Sequence, residues 1–291
     1  MNTFGRKFRI ALSGESHNPF ISVEIEGVPA GIPLAPEDFS ADLARCKGGH
    51  NGTSPIVEKD IPEIIRGTCN GITTGTTLKL SFAKGGMTLP LVAAGVVAKK
   101  TISPARIRAR LTEAGGFVFP SCCSDAPDAS RGPLDIPEFV ELLDRTAAEG
   151  DSIGGIVECV CEDIPAGIGD PFFDTAESMI SHIAFAVPGI RGIEFGDGFR
   201  VASMRGSEYN DHFCDIAGHT NGNPVVFRVA VKPSSGIARE QTSINMATGR
   251  TEESKIKGRH DVCFALRVPV VIESIAAIYL CDAMLNRLFR L

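Results

Sequence analysis

The sequence predicts an α+β fold, with two pseudo-symmetric halves whose antiparallel sheets sandwich helices between them. Three observations lead to this prediction. Several segments recur far apart along the chain, which indicates two related halves. Short stretches of alternating apolar and polar residues lie between glycine-rich turns, as in half-buried strands. Apolar segments at helical spacing follow these stretches, and their apolar sides need a sheet to cover them.

The repeat is clearest between the N-terminal region and the middle of the chain. Residues 14–32 begin Gly-Glu-Ser and end Pro-Ala-Gly-Ile, whereas residues 150–168 begin Gly-Asp-Ser and end Pro-Ala-Gly-Ile, 136 positions further on (150 against 14). Two further echoes pair 73–76 with 220–223 and 89–92 with 268–271. We therefore expect one domain over 1–291, with internal halves of about 1–120 and 145–291.

The individual elements follow from local patterns. Strands are predicted over 21–25, 78–82, 157–161 and 225–229, where apolar residues alternate with others. Helices are predicted over 103–111, 137–147 and 174–187, and from residues 89 and 268 onward. Ser103-Pro104 and Pro137 are typical helix openings, Asp174 is the expected N-cap, and Gly115-Gly116 and Pro188-Gly189 are expected to follow helix ends.

The two halves differ in one connection. In the second half 35 residues separate Lys232 from Val268, whereas in the first half only three separate Lys84 from Thr88. If both halves derive from one unit, about 32 residues are absent from the first half at this point. The long connection of the second half is the expected place for a functional insertion.

Composition and charge exclude several classes of protein. The chain has 291 residues, 43% of them hydrophobic, and a net charge of −6, so we expect no nucleic-acid partner. The apolar stretches 89–98 and 268–280 are too short or too polar for a membrane span, and residues 1–6 do not resemble a signal peptide. The expected location is the cytoplasm. Nine cysteines without a CxxC pair indicate reduced thiols and no metal site.

Two segments of the second half could bind an anion. Residues 232–236 (KPSSG) end a predicted strand and offer N–H and O–H donors to a phosphate or a polar ring, although an ordinary turn has the same pattern. Residues 258–261 (GRHD) place a cation, an imidazole and a carboxylate before an apolar helix. They suit an anionic substrate with a nearby proton acceptor, or a solvated salt bridge.

Two segments of the first half are further candidates. His17 follows a Gly-Glu-Ser turn, and Ile153 is its counterpart in the repeat. An imidazole there could act as a general acid or be a surface histidine. Residues 45–50 (RCKGGH) end a helix-like stretch with cations, which either bind an anion or only complement the helix dipole.

Together, these segments resemble the chorismate synthase family, in the same order and over nearly the whole chain. The motifs that carry the resemblance are 14–17 (GESH), 73–76 (TTGT), 150–152 (GDS), 204–211 (MRGSEYND), 232–235 (KPSS) and 258–261 (GRHD).

The resemblance implies a cytoplasmic homotetramer of α+β subunits. It further implies conversion of 5-enolpyruvylshikimate 3-phosphate to chorismate and phosphate by 1,4-anti-elimination, with reduced FMN as cofactor and no net redox change. Whether an NADPH-dependent activity of the chain reduces the flavin stays open. The chain has no Gly-rich dinucleotide fingerprint, so the flavin is expected in a pocket built from loops.

The resemblance also implies roles for single residues. His17 and Asp261 match the family's catalytic positions, His17 as the group that protonates reduced flavin and Asp261 as the group that helps remove the C6 proton. Lys232, Pro233, Ser234, Ser235, Gly236 and Arg259 match flavin-contacting positions. Arg45, Lys47 and Ser16 are assigned to the substrate.

Some positions depart from the family pattern. The family's second active-site histidine and an Arg-Gly-Gly-Gly stretch would lie between Lys84 and Thr88, where the repeat indicates missing residues, and the turn at 215–219 is curtailed. Cys46 replaces a usual arginine, and a thiol cannot replace a bidentate guanidinium. Three interpretations follow: loops that this sequence lacks, an inactive or repurposed relative that binds a small anion or acts as an oligomeric scaffold, or a likeness of fold alone.

Overall fold

The structure is a computed structural model that describes residues 2–14, 20–53, 61–83, 86–120, 132–209, 218–244, 246–254 and 261–288. Its two main sheets each have five antiparallel strands.

The first sheet comes from the N-terminal part of the chain and has the strand order β1-β2-β3-β7-β4. Its strands are β1 (Thr3–Phe4), β2 (Arg9–Ser13), β3 (Ile21–Glu26), β4 (Glu63–Arg66) and β7 (Leu78–Phe82). A small hairpin of β5 (Thr68–Cys69) and β6 (Ile72–Thr73) lies between β4 and β7 along the chain.

The second sheet has the strand order β9-β8-β10-β12-β11. Its strands are β8 (Arg106–Ala114), β9 (Phe117–Val118), β10 (Gly155–Glu162), β11 (Ile190–Phe195) and β12 (Val225–Val231). A separate hairpin of β13 (Gln241–Ile244) and β14 (Thr251–Ser254) lies in the connection after β12.

Six α-helices accompany the sheets: α1 (Ser40–Cys46), α2 (Thr88–Thr101), α3 (Pro137–Ala148), α4 (Ala176–Ala186), α5 (Gly206–Tyr209) and α6 (Val268–Leu288). Helix α2 packs on the first sheet, α6 packs on the second, and the two helices pack against each other. The order of layers is therefore sheet, helix, helix, sheet, which confirms the predicted α+β sandwich.

The two sheets are equivalent strand for strand. In each, the repeated segment supplies the central strand (β3 and β10), and the strand before the apolar helix lies beside it (β7 and β12). The equivalence assigns residues 106–118 to the second repeat, because β8 and β9 pair within the second sheet. The single-domain prediction, with halves of about 1–120 and 145–291, stays a prediction.

The same hydrogen bonds recur at the turns of both halves. The Thr73 hydroxyl donates to the Pro29 carbonyl at 2.6 Å and accepts from the Ile32 N–H at 2.9 Å. In the second half, the Thr220 hydroxyl donates to the Pro165 carbonyl at 2.6 Å and accepts from the Ile168 N–H at 3.0 Å. These bonds explain why Pro-Ala-Gly-Ile and a distant threonine recur together in the sequence.

Two local predictions are wrong. Residues 106–114 form strand β8 and not a helix, because arginines alternate there with Ile107, Ala109 and Leu111, and Gly115 and Gly116, both with positive φ, turn the chain into β9. The N-cap of α4 is Thr175, whose hydroxyl accepts from the Ser178 N–H at 3.1 Å, and Asp174 instead pairs with Arg6.

Helix α6 is the central helix of the second half. With the turn before it, it is the one helix in the described part of the chain that is long and apolar enough to cross a membrane, yet 78% of its most apolar window is buried inside the protein. Burial against α2 and strands β8 and β10 accounts for its apolar composition. Such a helix is a normal core helix.

Candidate active site

Four connections meet at the end of the molecule where α6 begins. The connection before α6 lies at their centre: the Ile153 N–H donates to the Val262 carbonyl at 2.8 Å, and the Cys263 N–H donates to the Gly52 carbonyl at 2.9 Å. This connection therefore touches both the loop after α1 and the loop before β10. All three belong to segments that the sequence analysis identified.

The connection after β12 joins the same group. The Ser152 hydroxyl donates to the Ser234 carbonyl at 2.7 Å, and the Ala238 N–H donates to the Gly150 carbonyl at 3.0 Å. Arg239 and Asp151 form an ion pair at 2.7 Å, which lowers the pKa of the Asp151 carboxyl chiefly through its hydrogen bond. The fold thus brings the repeated Gly-Asp-Ser turn against the KPSSG segment.

Asp261 is held in this group by an arginine. The Nη1 atom of Arg267 lies 3.3 Å from Oδ2 of Asp261, and Nε of Arg267 donates to the Cys46 carbonyl at 2.8 Å. The Asp261 side chain is 12% exposed, so its carboxylate lies largely below the surface. One guanidinium therefore fixes the predicted catalytic carboxylate relative to the end of α1.

Arg45 has a partner inside the chain. Its two terminal nitrogens donate to the two carboxylate oxygens of Glu273 at 2.7 Å each, and Lys99 donates to Glu273 Oε2 at 2.9 Å. Burial raises the pKa of Glu273, but the hydrogen bond from Arg45 and the charge of Lys99 outweigh it and hold the pKa below its ordinary value. The hydrogen bond to Glu273 also raises the pKa of Arg45. Its role in substrate binding stays a prediction.

The KPSSG segment lies at the surface beside these groups. Nζ of Lys232 lies 3.2 Å from the Ser235 hydroxyl, and the Lys232 N–H donates to the Gly189 carbonyl at 2.9 Å. Pro233 and Ser235 are exposed, whereas Lys232, Ser234 and Gly236 are half-buried. The segment presents a cation and a hydroxyl together on an open face.

The structure brings only part of the predicted set together. Asp261, Lys47, Arg45 and residues 232–236 lie on the connections that meet here, while Ser16, His17 and Arg259 lie outside the described residues. Lys47 follows α1, is half-buried, and forms no hydrogen bond or ion pair with a described residue. It is available to an external anion.

The N-terminal ends of two long helices add positive potential. Helix α6 begins directly after Arg267, and α2 begins at Thr88, whose hydroxyl lies 3.7 Å from Sγ of Cys46. Unpaired N–H groups and the helix dipole make such ends favourable to anions. With Lys47 and Lys232 nearby, the site suits an anionic ligand next to one carboxylate.

Sequence reasoning missed Arg267 and Glu273. A cation directly before a helix opposes the helix dipole, so Arg267 required another partner, which proves to be Asp261. Glu273 is a carboxylate within an apolar helix and is 4% exposed, which requires compensating cations. Both signals were present in the sequence, but neither one identifies the partner.

Fold and site together define a class. The protein is an α+β sandwich of two related halves, with a loop-built site for a small anionic molecule at the start of the second half's central helix. Comparison with known proteins narrows this class. The sequence profile of the chorismate synthase family matches residues 8–84 and 82–285, and the chain therefore belongs to the chorismate synthase family.

Individual relatives agree. The chain is 41% identical to a chorismate synthase of Chitinophaga pinensis, with 100% of both chains covered, and 33% identical to one of Korarchaeum cryptofilum, with 97% of both covered. A crystal structure of a chorismate synthase superimposes with a TM-score of 0.78 at 24% identity, covering 98% of this chain and 94% of the other. That structural likeness supports the fold.

The comparisons also bear on the short connection between β7 and α2. The alignment with the Chitinophaga protein has 350 positions against 291 residues, so at least 59 positions have no residue in this chain. The two segments that match the family meet at 82–84, which coincides with the connection that the repeat indicates to be short. The chain is thus a family member with a shortened loop set.

Proposed function

We propose that this chain is a lyase that converts 5-enolpyruvylshikimate 3-phosphate to chorismate and phosphate by 1,4-anti-elimination, at the site where the four connections meet. The reaction breaks the bond to phosphate and a C–H bond at C6, and it forms a new double bond. It needs cations for the leaving phosphate and a carboxylate or imidazole for the proton. Both kinds of group are present on these connections.

The observation that supports the proposal most strongly is the position of Asp261. Arg267 holds its carboxylate 3.3 Å away and also binds the backbone at Cys46, next to Lys47. A proton acceptor thus lies beside a cation-bearing turn and the positive ends of α2 and α6. This juxtaposition fits a substrate that loses a proton and an anionic leaving group.

Reduced FMN is the cofactor that we propose for this site. The donor set fits it: Lys232 and Ser235 offer an ammonium and a hydroxyl 3.2 Å apart on an open face, as a phosphate or a polar ring edge requires. When bound, reduced FMN supplies electron density that assists departure of phosphate. The chain's Lys232, Ser234, Ser235, Gly236 and Arg259 would orient it, while Pro233 stiffens the segment.

The remaining assignments concern the substrate and the proton. We assign His17 to proton donation and Asp261 to proton removal, and we assign Lys47, Ser16 and Arg45 to the substrate's anionic groups. Because Arg45 is bound to Glu273, it would contribute charge and position the turn at Cys46 more than it would offer free N–H groups. Lys47 is the cation with no partner among the described residues.

We further propose a cytoplasmic homotetramer. Phe172, Phe173 and Phe199 are almost wholly exposed, which is unusual for the surface of a monomer and is typical of surfaces covered by another subunit. Size-exclusion chromatography with light scattering tests this proposal. A monomer at micromolar concentration would contradict it.

The function is tested by anaerobic turnover with chemically reduced FMN, following phosphate release and chorismate formation together. An intact mass of 30.9 kDa first establishes that the assayed chain has the short connection. Asp261→Asn should abolish most turnover, whereas Asp197→Asn, at an exposed ion pair elsewhere in the second half, should not. Equal phosphate and chorismate in the wild type support the proposal.

A second candidate function has one observation in its favour, the at least 59 aligned positions that have no residue in this chain. A family member without turnover could still bind the phosphorylated substrate or act as an oligomeric scaffold. Binding of FMN that tightens in the presence of substrate, with no chorismate formed, would favour this second function. Absence of both binding and turnover would count against the proposed site.

A further inference from the structure

A cavity of about 190 Å³ lies at the opposite end of α6 from the proposed active site. One face of the helix forms its floor, through Tyr279, Asp282, Ala283, Asn286 and Arg287, which follow helical spacing. The cavity is several times larger than the ~30 Å³ that one water molecule takes up in the liquid. Tyr279 comes eleven residues after Val268, about 16 Å along the axis at ~1.5 Å per residue, so the two sites are separate.

Tyr279 has a buried hydroxyl without a partner. The residue is 3% exposed, and its hydroxyl is the one buried side-chain polar atom, among those the structure describes, that has no hydrogen bond. Buried hydroxyls are nearly always bonded, because leaving one unpaired costs free energy. Since Tyr279 lines the cavity, a molecule in the cavity can supply the missing bond.

The charges around this hydroxyl are predominantly negative. Three carboxylates line the cavity, those of Asp170, Asp174 and Asp282, against two guanidiniums. Burial, and then the charges of Asp170, Asp282 and Asp174, raise the pKa of Tyr279 well above its ordinary value. The phenol therefore stays protonated, and its oxygen remains able to accept a hydrogen bond in a negative potential.

The two guanidiniums are engaged with the protein itself. Arg6 donates to Asp174 Oδ2 at 2.7 Å, and Arg287 donates to the Ala166 carbonyl. The imidazole of His219 also lines the cavity. On Asp282, Oδ1 accepts the backbone N–H groups of Arg6 and Phe8 at 2.8 Å each. An anionic ligand would have to displace these cations, whereas a cationic ligand would not.

We propose that this cavity is a binding site for a small organic ammonium ion, whose N–H groups donate to the Tyr279 hydroxyl oxygen and to the surrounding carboxylates. Met179 and Ala283 offer apolar contacts to a short alkyl chain. The site is independent of the proposed elimination, because none of its residues lies on the connections that form the active site.

The chain itself provides the probe for a direct test. It has two tyrosines and no tryptophan, so in full-length Tyr209→Phe the fluorescence of Tyr279 is the only tyrosine signal. Tyr209 is exposed, so this change should leave the fold intact. Titration with n-butylammonium chloride should give a saturable change in that fluorescence, while n-butanol, sodium butyrate and potassium chloride at equal ionic strength should not.

Two variants locate the bound probe. Asp170→Asn in the Tyr209→Phe background should weaken n-butylammonium binding several-fold. Tyr279→Phe, with Tyr209 retained, should weaken the saturation transfer from protein to n-butylammonium seen by NMR, whereas Tyr209→Phe should not. The proposal is overturned if butyrate or potassium chloride gives the same saturable change, if no probe saturates, or if both tyrosine variants bind alike.

Discussion

Gly95 of α2 and Ser274 of α6 occupy equivalent positions in the two halves and lie directly against each other. The segments 89–92 and 268–271 are offset by 179 positions (268 against 89), and the same offset relates residue 95 to residue 274. A Cβ atom added to Gly95 would lie 2.3 Å from the Cβ of Ser274. Two equivalent residues in contact mark the pseudo-twofold axis, which therefore passes between these helices.

Gly95→Ala should destabilise the protein by about 2–3 kcal/mol, at the upper end for overpacking, because the added methyl would also lie 2.6 Å from the Ser274 backbone Cα atom. Urea unfolding measures the change. Gly206→Ala is the matched control, since a Cβ there meets no atom within 4 Å. A Gly95→Ala protein as stable as the control would show that α2 and α6 are not this close.

Glu273→Gln should destabilise the protein by about 3–5 kcal/mol, because it leaves Arg45 and Lys99 without their shared buried carboxylate. Glu26→Gln, at an exposed pair with Arg9, should cost less than ~1 kcal/mol. Chemical denaturation at neutral pH compares the two. Similar small losses in both variants would show that the buried pairs contribute little.

The pH dependence of Glu273 has a definite sign. Its pKa is lowered in the folded state, so its ionisation stabilises the protein above the ordinary pKa of glutamate. This contribution is lost as the pH falls through that value toward the lowered one. The stability difference between wild type and Glu273→Gln should therefore narrow in acid, and a difference that stays constant from neutral pH into that range would contradict the assignment.

Arg267→Gln should lower kcat of the proposed elimination by about 10²-fold, because it releases both Asp261 and the turn at Cys46. Arg267→Lys should recover part of kcat, as one ammonium can bind the carboxylate but cannot make both contacts. Arg9→Gln, at an exposed strand position, is the control. A purely structural role would lower the melting temperature of both Arg267 variants alike without restoring kcat in the lysine variant.

Thr73→Val and Thr220→Val should each destabilise the protein by about 1–3 kcal/mol, since each removes a hydroxyl that bonds two backbone groups at equivalent turns. Thr76→Val changes an exposed hydroxyl and should have little effect. Thermal unfolding of the three variants gives the comparison. Unequal losses at Thr73 and Thr220 would argue against the equivalence of the two turns.

Most of the fold could be predicted from local patterns. The strands around 21–25 and 157–161 and the helix at 137–147 form where alternation and helix openings indicate, because one face of each element is buried. Residues 106–114 were mistaken for a helix because the Ser-Pro opening outweighed the alternation of arginines with apolar residues. Pairing with β10 decides this segment, and pairing is not a local property.

The candidate site was predictable in its residue types more than in its contacts. Asp261 and the KPSSG segment were identified as chemistry-bearing, yet nothing in their spacing indicated that Arg267 binds Asp261. The sequence also offered Arg45 as a free cation for an anion, whereas the fold places Glu273 against it. A residue far away along the chain can occupy a charged group, and local patterns carry no information about such partners.

The sequence by itself determined the two-half architecture, the short connection between Lys84 and Thr88, and the family, because repeats and ordered motifs are properties of the chain. Only the tertiary structure decided which halves of the sandwich touch at Gly95 and Ser274, which cation holds Asp261, and where Tyr279 meets an empty volume. These depend on distances between residues that are remote in sequence, and packing of the folded chain alone sets such distances.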